Sequence, residues 1–418
     1  MSEAVNIPQL RFPEFNGAWE EKKLGEVVRY TKGFAFKSND YVDSGVRIIR
    51  VSDLGAESIK KDNKSIYLSS ENEHLYDKWK IRKNNIVITT VGSNPDLIES
   101  AVGRGIFIIN DNEGLLNQNM LKLENSTQVN NKFVHCFINS PKYIHHIKAI
   151  KRGNANQANI TVKELLDFKL SITTKPEQQK IAAFLNAVDT KIEQLSKKQE
   201  LLGEYKKGAM QQIFSQAIRF KANDGGDYPD WEELKLGEVA RFRRGSFPQP
   251  YGNPEWYDDE DGKPFVQVYD VAGNMRLKST TKRKISVLAQ SSSVFVPKGN
   301  VVLTIQGSIG RIALTQYDAY VDRTLLIFTG YIKEVNKQFF IYVIYLLFEI
   351  EKIKAPGGTI KTITKEALTS FKLDLPCFDE QTKIANFLSS IDSKIEQVGK
   401  QLDESKQFKK ALLQQMFV

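Results

Sequence analysis

Only two cysteines occur in 418 residues, Cys136 and Cys377. Two thiols build neither a disulfide framework nor a CxxC metal site, and they suit a reducing cytoplasm. Long apolar runs are also missing. The longest, FFIYVIYLLFEI at 339–350, is 12 residues, whereas a membrane helix needs about 20, so it reads as a buried helix. The start, MSEAVNIPQLRFPEF, has no basic end followed by an apolar core, so no signal peptide is expected. Low-complexity tracts are absent, and 41% hydrophobic with 10% aromatic residues suits a folded protein. At this length two to three domains are expected.

Motifs for catalysis are missing as well. Asn94-Pro95 is followed by Asp96, so the Asn/Asp-Pro-Pro-aromatic tetrad of an adenine methyltransferase is absent. Gly262-Lys263 and Gly399-Lys400 lack the upstream glycine of a phosphate-binding loop. Pro229-Asp230 with Glu233 and Lys235 has the letters of a metal nuclease but is too tightly spaced. No catalytic residue and no metal site are expected.

What is present is a repeat. Residues 177–214, EQQKIAAFLNAVDTKIEQLSKKQELLGEYKKGAMQQIF, recur 203 positions later as 380–417, EQTKIANFLSSIDSKIEQVGKQLDESKQFKKALLQQMF, with 18 of 38 positions identical and no gap. A second pair matches at 10 of 15 positions: WEEKKLGEVVRYTKG at 19–33 and WEELKLGEVARFRRG at 231–245. An aromatic-proline segment precedes each, RFPEF at 11–15 and DYPDW at 227–231. The chain reads as one unit written twice. KLGEV predicts a short amphipathic element seating Leu24 and Val27, or Leu236 and Val239. β-Branched runs at 46–54 and 83–93 match those at 264–271 and 298–308 and predict strands. A polar-aromatic crossing follows, at 115–123 and 321–328, then a helix around 131–150 and 336–353. Gly-containing loops at 151–161 and 354–364 lead to the repeated segment. DGGDYPD at 224–230 is the expected break of the first long helix. His135 and Cys136 with His145 and His146 resemble zinc ligands only until the second unit is compared, because its matching segment has none of them; histidines on a helix face are expected instead.

In the repeated segment Ile181, Leu185, Val188, Ile192, Leu195 and Leu202, and Ile384, Leu388, Ile391, Ile395, Val398 and Leu402, recur in alternating steps of four and three, the pattern of a heptad seam. Each helix would be about 57 Å long and marginal alone. Pairing is therefore expected. An antiparallel pair would set two lobes at opposite ends of a rod with a pseudo-twofold axis. Gln199, Lys206, Ser405 and Lys409 interrupt the seam; the two lysines either fix register or snorkel to solvent. The expected fold is α+β, with two β-rich lobes alternating with two long helices that form an antiparallel coiled coil. The divisions are 1–176, 177–218, 219–376 and 377–418.

The formal charge is +9. Each repeated segment holds six Lys and five acidic residues, so most of the excess lies in the lobes, which favours a polyanion such as nucleic acid. Arg and Lys suit guanine and phosphate, and Asn and Gln suit adenine. Gly-flanked loops of the first unit hold Lys32, Phe34, Lys37, Arg50, Ser93, Asn94, Arg104, Arg152, Asn154 and Gln157. Matched loops of the second hold Arg243, Arg244, Gln249, Tyr269, Gln306, Ser308, Arg311, Arg323, Thr359 and Lys361. The framework is kept and the loops differ, as expected of two related readers of different sequences.

RFPEF…WEEKKLGEV, TTKPEQQKIAAFLNAVDTKIEQ and FDEQTKIANFLSSIDSKIEQ together resemble a type I restriction–modification DNA-specificity subunit over essentially the whole chain. The resemblance implies two target-recognition domains, each reading half of a split duplex sequence, and two helices serving as spacer and docking site. It implies two methyltransferase (modification) subunits bringing S-adenosylmethionine, and restriction/translocase subunits bringing ATP and Mg²⁺, around a non-catalytic, cytoplasmic chain. Ile181, Leu185, Ile192, Leu195, Ile384, Leu388, Ile395 and Val398 would form the spacer, and Lys191, Glu193, Lys394 and Glu396 its exposed flanks. The competing expectation is a coiled-coil protein-interaction scaffold with two β-rich lobes that does not read DNA.

Overall fold

The computed structural model describes residues 6–417 apart from 62, 98–100, 125, 127, 139, 154–156, 355–362 and 364. The chain forms two compact units. The first joins residues up to 197 with the C-terminal segment from 399; the second spans 198–398.

In the first unit, strands Arg29–Lys32, Met120–Glu124, Ile86–Thr89 and Gly105–Phe107 form an antiparallel sheet in that order. Both faces are covered, so the strand IVIT at 86–89 is buried at every position. Ile86 and Ile88 face a core with Leu121, Leu123, Phe133, Tyr143 and Ile147. Val87 faces the opposite core with Ile49, Ile106 and Leu116. A side-chain period of two splits one apolar run between two cores. A second sheet runs Tyr41–Val42, Ile66–Leu68, Val46–Ile49, Gly114–Leu116, Lys80–Ile81. Its Val46–Ile49 and Gly114–Leu116 strands pair in parallel.

The second unit has the same plan. Ala240–Arg244, Leu325–Tyr331, Val301–Thr304 and Ile312–Leu314 form the first sheet. Arg283–Ile285, Lys263–Val266, Ala319–Val321 and Val294–Val296 form the second, again with one parallel pair, Lys263–Val266 on Ala319–Val321. The expected strands are therefore present in both units, and Leu24, Val27, Leu236 and Val239 are buried as KLGEV implied. The apolar run at 339–350 lies within the helix Lys337–Lys354, with Phe339, Phe340, Tyr342 and Phe348 fully buried. Its counterpart is two helices, Asn131–Phe137 and Pro141–Ile150, rather than one. Pro141 opens the second, and Ser140 caps it by accepting from Tyr143 N–H, because proline is suited to a helix start and not to its interior.

The repeated segments are helices Lys175–Phe214 and Phe378–Gln415. Within the first unit the start of the former packs with the end of the latter: Ile181, Ala182 and Leu185 share a core with Leu412 and Met416. Within the second, Met210 and Ile213 share a core with Ile384, Leu388 and Ile391. The helices thus pair antiparallel. The seam lysines fix register rather than merely snorkelling. Lys409 Nζ lies 2.7 Å from Asp189 Oδ1, and Lys206 Nζ 2.6 Å from Asp392 Oδ1. The 203-residue offset relates Asp189 to Asp392 and Lys206 to Lys409, so one ion pair recurs at each end of the seam.

Each helix start is clamped the same way. Glu177 and Glu380 are fully buried. Arg11 grips Glu177 through two hydrogen bonds of 2.7 Å, and Arg219 reaches Glu380 Oε2 at 2.8 Å. Phe12 packs edge-on to Phe184, and Phe220 likewise to Phe387. The structural counterpart of Arg11-Phe12 is therefore Arg219-Phe220, not the DYPDW segment. The first long helix also ends at Phe214, before the glycine pair that was expected to break it. Gln216 then takes a left-handed φ of 58°, a common way for a helix to stop.

Candidate nucleic-acid interface

Both units meet their two sheets at one three-residue turn. In the first unit it is Asn117–Gln118–Asn119, between the strands Gly114–Leu116 and Met120–Glu124. Asn117 N–H donates to Ile49 O, and Asn119 O accepts from Thr90 N–H. On the third side Phe34 N–H donates to Leu116 O and Gly33 N–H to Met120 O. In the second unit the turn is Asp322–Arg323–Thr324. Asp322 N–H donates to Val266 O, Thr324 O accepts from Ile305 N–H, and Ser246 and Gly245 N–H donate to Val321 O and Leu325 O. Four backbone hydrogen bonds match one for one. The closeness explains the glycine ending each WEE…G motif. A Cβ on Gly33 would sit 1.8 Å from Asn117 O, and one on Gly245 2.2 Å from Val321 O.

This junction gathers many of the sequence candidates. In the first unit Lys32 and Phe34 flank Gly33, Arg50 follows Ile49, and Ser93 and Asn94 follow shortly after Thr90. The hairpin holding Arg152 and Gln157 adds to that side, since Ala158 and Asn159 pair with Gly92 and Val91. Lys151 Nζ also donates to Asn94 Oδ1 at 3.3 Å. In the second unit Arg243 and Arg244 end one strand, Gln306 follows Ile305, and Ser308 and Arg311 lie in the loop closed by Thr304 N–H on Arg311 O. Tyr269 hydroxyl donates to Gln267 Oε1, and Gln267 follows Val266. Arg323 lies over the Tyr251 ring at 5.5 Å.

The candidates differ in exposure and in their bonds within the protein. Lys32, Lys37, Gln157, Arg243, Arg244, Gln249, Gln306, Ser308, Arg311 and Arg323 are exposed. Phe34 packs among Phe36, Tyr76 and Trp79 and props its loop. Arg50 is bound to Asp53 and to Lys64 O, and Arg152 to Glu164. Arg104 is half-buried, and its desolvation lowers its pKa. Burial likewise pushes the Tyr269 phenol up to about 12, so it stays a hydrogen-bond donor at neutral pH. Lys37 and Gln249 sit farther along the loops that leave the junction. Asn154, Thr359 and Lys361 lie outside the described residues.

Of the helix residues, Ile181, Leu185, Ile384, Leu388 and Val398 are buried, and Ile192, Leu195 and Ile395 are half-buried. Lys191, Glu193, Lys394 and Glu396 are exposed, with Glu396 paired to Arg276 at 2.8 Å. His135 is half-buried on its helix, and desolvation lowers its pKa to about 3. Among the described residues no group of three or more His, Cys, Asp or Glu could hold a metal ion, and no helix could cross a membrane.

Sequence reasoning missed Gln118, which read as part of the polar-aromatic crossing at 115–123 although it aligns with the selected Arg323. It also missed Arg283, whose guanidinium stacks 3.8 Å from the Tyr257 ring centroid, and Lys282, 5.1 Å from the Tyr269 ring centroid. Their signal was a basic pair at the start of the strand Arg283–Ile285.

Two lobes of one design, each offering basic and amide side chains around the same backbone junction, define a duplicated DNA-recognition protein. The type I restriction modification DNA specificity domain matches twice, at residues 16–202 and 228–404. The chain belongs to that family and is a sequence-specific DNA-recognition subunit, not the catalytic component. It is 24% identical to a Methanocaldococcus jannaschii protein named as a putative type I restriction enzyme MjaX specificity subunit, over 98% of this chain and 95% of that one. It is 26% identical to the Escherichia coli type I restriction enzyme EcoBI specificity subunit, over 73% of this chain and 64% of that one. The crystal structure of a type I restriction–modification S subunit from M. genitalium shares the fold, with a TM-score of 0.62, 17% identity and 99% of both chains covered. The family assembles with other restriction–modification subunits and with DNA, and does not itself hold the catalytic cofactors.

Proposed function

We propose that the chain recognises an asymmetric, bipartite duplex sequence, one half-site per lobe, and holds modification and restriction subunits on it. Residues 1–176 and 219–376 act as the two target-recognition domains. Segments 177–218 and 377–418 set the unread gap and receive two methyltransferase subunits on their repeated outer faces. S-adenosylmethionine arrives with those subunits, and ATP and Mg²⁺ with the restriction/translocase subunits. The work is done in the cytoplasm.

One observation carries the reading: the junction backbone is the same in both units, while the side chains around it differ in kind. Arg50 stands where the second unit has Gln267, and Gln118 where it has Arg323, whereas Lys32 and Arg244 keep a cation at one matched place. A common scaffold with exchanged donors and acceptors is what two half-sites of different sequence require. Exposed lysines and arginines such as Lys37 and Arg243 hold the phosphates, and side chains at the junction meet base edges. Half-sites about one helical turn apart, ~34–36 Å, present the same face of the duplex to both lobes.

Mapping methylated adenines in DNA from cells that carry this chain with its modification partners tests the proposal. The expected motif has two unlike halves separated by a constant number of unread base pairs. A single uninterrupted motif, or methylation without sequence preference, would overturn it.

A further inference from the structure

We infer that Gln118 and Arg323 are equivalent base-reading residues, one for each half-site, with Gln118 selecting an A·T pair and Arg323 a G·C pair. The inference rests on the half-site reading above.

Equivalence follows from the backbone. Each residue is the middle one of a turn whose first residue donates to one strand end, Ile49 or Val266, and whose third accepts from another, Thr90 or Ile305. The preceding and following strands are tied to the segment ending in Gly33-Phe34 or Gly245-Ser246. Three chain segments thus fix each middle residue, and its side chain is exposed in both units. A reader needs a rigid base and an accessible end, because an adjustable backbone would let the side chain follow a wrong base.

The flanking side chains strengthen the base instead of competing for DNA. Asn117 Oδ1 accepts from Gln118 N–H at 2.8 Å. Asp322 Oδ1 accepts from Thr324 N–H at 2.9 Å, and its Oδ2 accepts from the Tyr251 hydroxyl at 3.1 Å. Tyr251 also lies beneath Arg323, with its ring centroid 5.5 Å from the guanidinium carbon. A cation over an aromatic face is held by the ring quadrupole, so one tyrosine braces both the turn and the arginine above it. Gln118 ends in a planar carboxamide whose oxygen acceptor and NH₂ donor suit the paired N6–H donor and N7 acceptor of adenine. Arginine offers two parallel donors to the two acceptors of guanine.

The position also explains why the candidates converge here. Lys32, Arg50 and Ser93 come from the three segments that meet the first turn; Arg244, Gln267 and Gln306 come from those that meet the second. Arg50 and Gln267 are tied inward, Arg50 to Asp53 and Gln267 to Tyr251 and Tyr269. Lys32, Arg244 and Gln306 are exposed around the turns, and Gln118 and Arg323 are exposed at the middle of the turns themselves.

The test uses the full chain, coexpressed with its modification partners, carrying Gln118→Arg or Arg323→Gln, and methylated sites are mapped genome-wide. Gln118→Arg is expected to change one base pair of one half-site from A·T to G·C and to leave the other half unchanged. Arg323→Gln should do the reverse in the other half. Preference at the altered pair should move by roughly 10- to 100-fold. If Gln118→Arg abolishes methylation, Gln118→Ala decides: relaxation at a single base pair supports the inference. Retention of the wild-type motif by Gln118→Ala, changes in both halves, or complete loss with Gln118→Ala overturns it. The wild-type chain separates the two levels. A bipartite wild-type motif that the variants leave untouched refutes the reader assignment alone, whereas a wild type with no bipartite motif refutes the half-site reading itself.

Discussion

Replacing Lys206 with Met tests what holds the two long helices in register. In the second unit the Lys206 ammonium lies 2.6 Å from Asp392 Oδ1, with 13% of the lysine side chain and 34% of the aspartate exposed. The Tyr342 hydroxyl donates to Asp392 Oδ2 at 2.6 Å, and the ammonium sits 5.0 Å from the Tyr342 ring centroid. At an effective dielectric near 20, unit charges at this range attract by about 6 kcal/mol. Desolvating both groups takes back much of that, and the exposed third of Asp392 screens more. A charge-assisted hydrogen bond of this kind nets about 1.5–3 kcal/mol. Methionine keeps the apolar stem and removes the charge. A double-mutant cycle of Lys206→Met with Asp392→Asn, followed by urea unfolding, should therefore give a coupling energy of about 1.5–2.5 kcal/mol. The coupling should change little between 0.1 and 1 M salt, on the order of a few tenths of a kcal/mol, because the two groups are in direct contact and partly buried. The matching change in the first unit, Asp189→Asn, strands two lysines, since Lys132 and Lys409 both approach Asp189 at 2.7 Å. Its cost should be larger, about 3–5 kcal/mol. A coupling energy below about 0.5 kcal/mol would mean that Lys206 merely reaches solvent along the seam, and the register argument would fail.

Gly33→Ala should destabilise the first unit by about 2–4 kcal/mol and disrupt recognition of one half-site, because Asn117 O occupies the place of the new Cβ. Gly203→Ala, in the long helix with nothing within 4 Å of its Cβ, should instead stabilise by about 0.5–1 kcal/mol; thermal melts compare the two. Asp53 and Asp270 occupy matched three-residue turns but should respond oppositely to acid. Burial would raise Asp53, yet bonds from the Arg50 side chain and N–H and from Asn63 hold it below the usual aspartate range. Its contribution is therefore complete above the unfolded pKa near 4 and is lost as pH falls through its lower folded value. Gln267 stands where Arg50 would be, and burial leaves the Asp270 carboxyl raised. Its charge opposes folding at neutral pH, and that cost is relieved as pH falls through the raised folded value. Melting each unit between pH 7 and 3, with Asp53→Asn and Asp270→Asn as references, checks both signs; parallel trends would contradict them.

The duplication, the heptad seam and most strands were legible because each rests on local periodicity or on direct comparison of the two halves. The seam predicted pairing, but lysine at 206 and 409 was ambiguous until the opposed aspartates were seen. Asp189 and Asp392 were identical in the two copies, yet only the antiparallel arrangement brings each to the lysine of the other helix. The Arg11 clamp on Glu177 spans 166 residues, and no local pattern announces such a contact. Its counterpart was misassigned because Phe12 and Trp19 are seven residues apart, whereas Phe220 and Trp231 are eleven apart. Candidates were taken from Gly-flanked loops, and Gln118, inside the crossing at 115–123, was passed over while its charged counterpart Arg323 was selected. Charge also selected Arg50 and Arg152, whose guanidinium groups are bonded within the protein. Which cation faces solvent depends on burial and long-range partners, and these emerge only when strands distant in sequence close the junction.

Exchange of one lobe tests the central claim most directly. Residues 20–172, bounded by the paired strands Glu20–Lys23 and Lys169–Ile172, can be replaced by the matching segment of a relative that methylates a different sequence. The methylated sites are then mapped with the same modification partners. The account predicts a hybrid motif, with one half taken from the relative and the other half and the unread gap retained. A motif altered in both halves, or one unchanged by the exchange, would contradict the division of reading between two lobes.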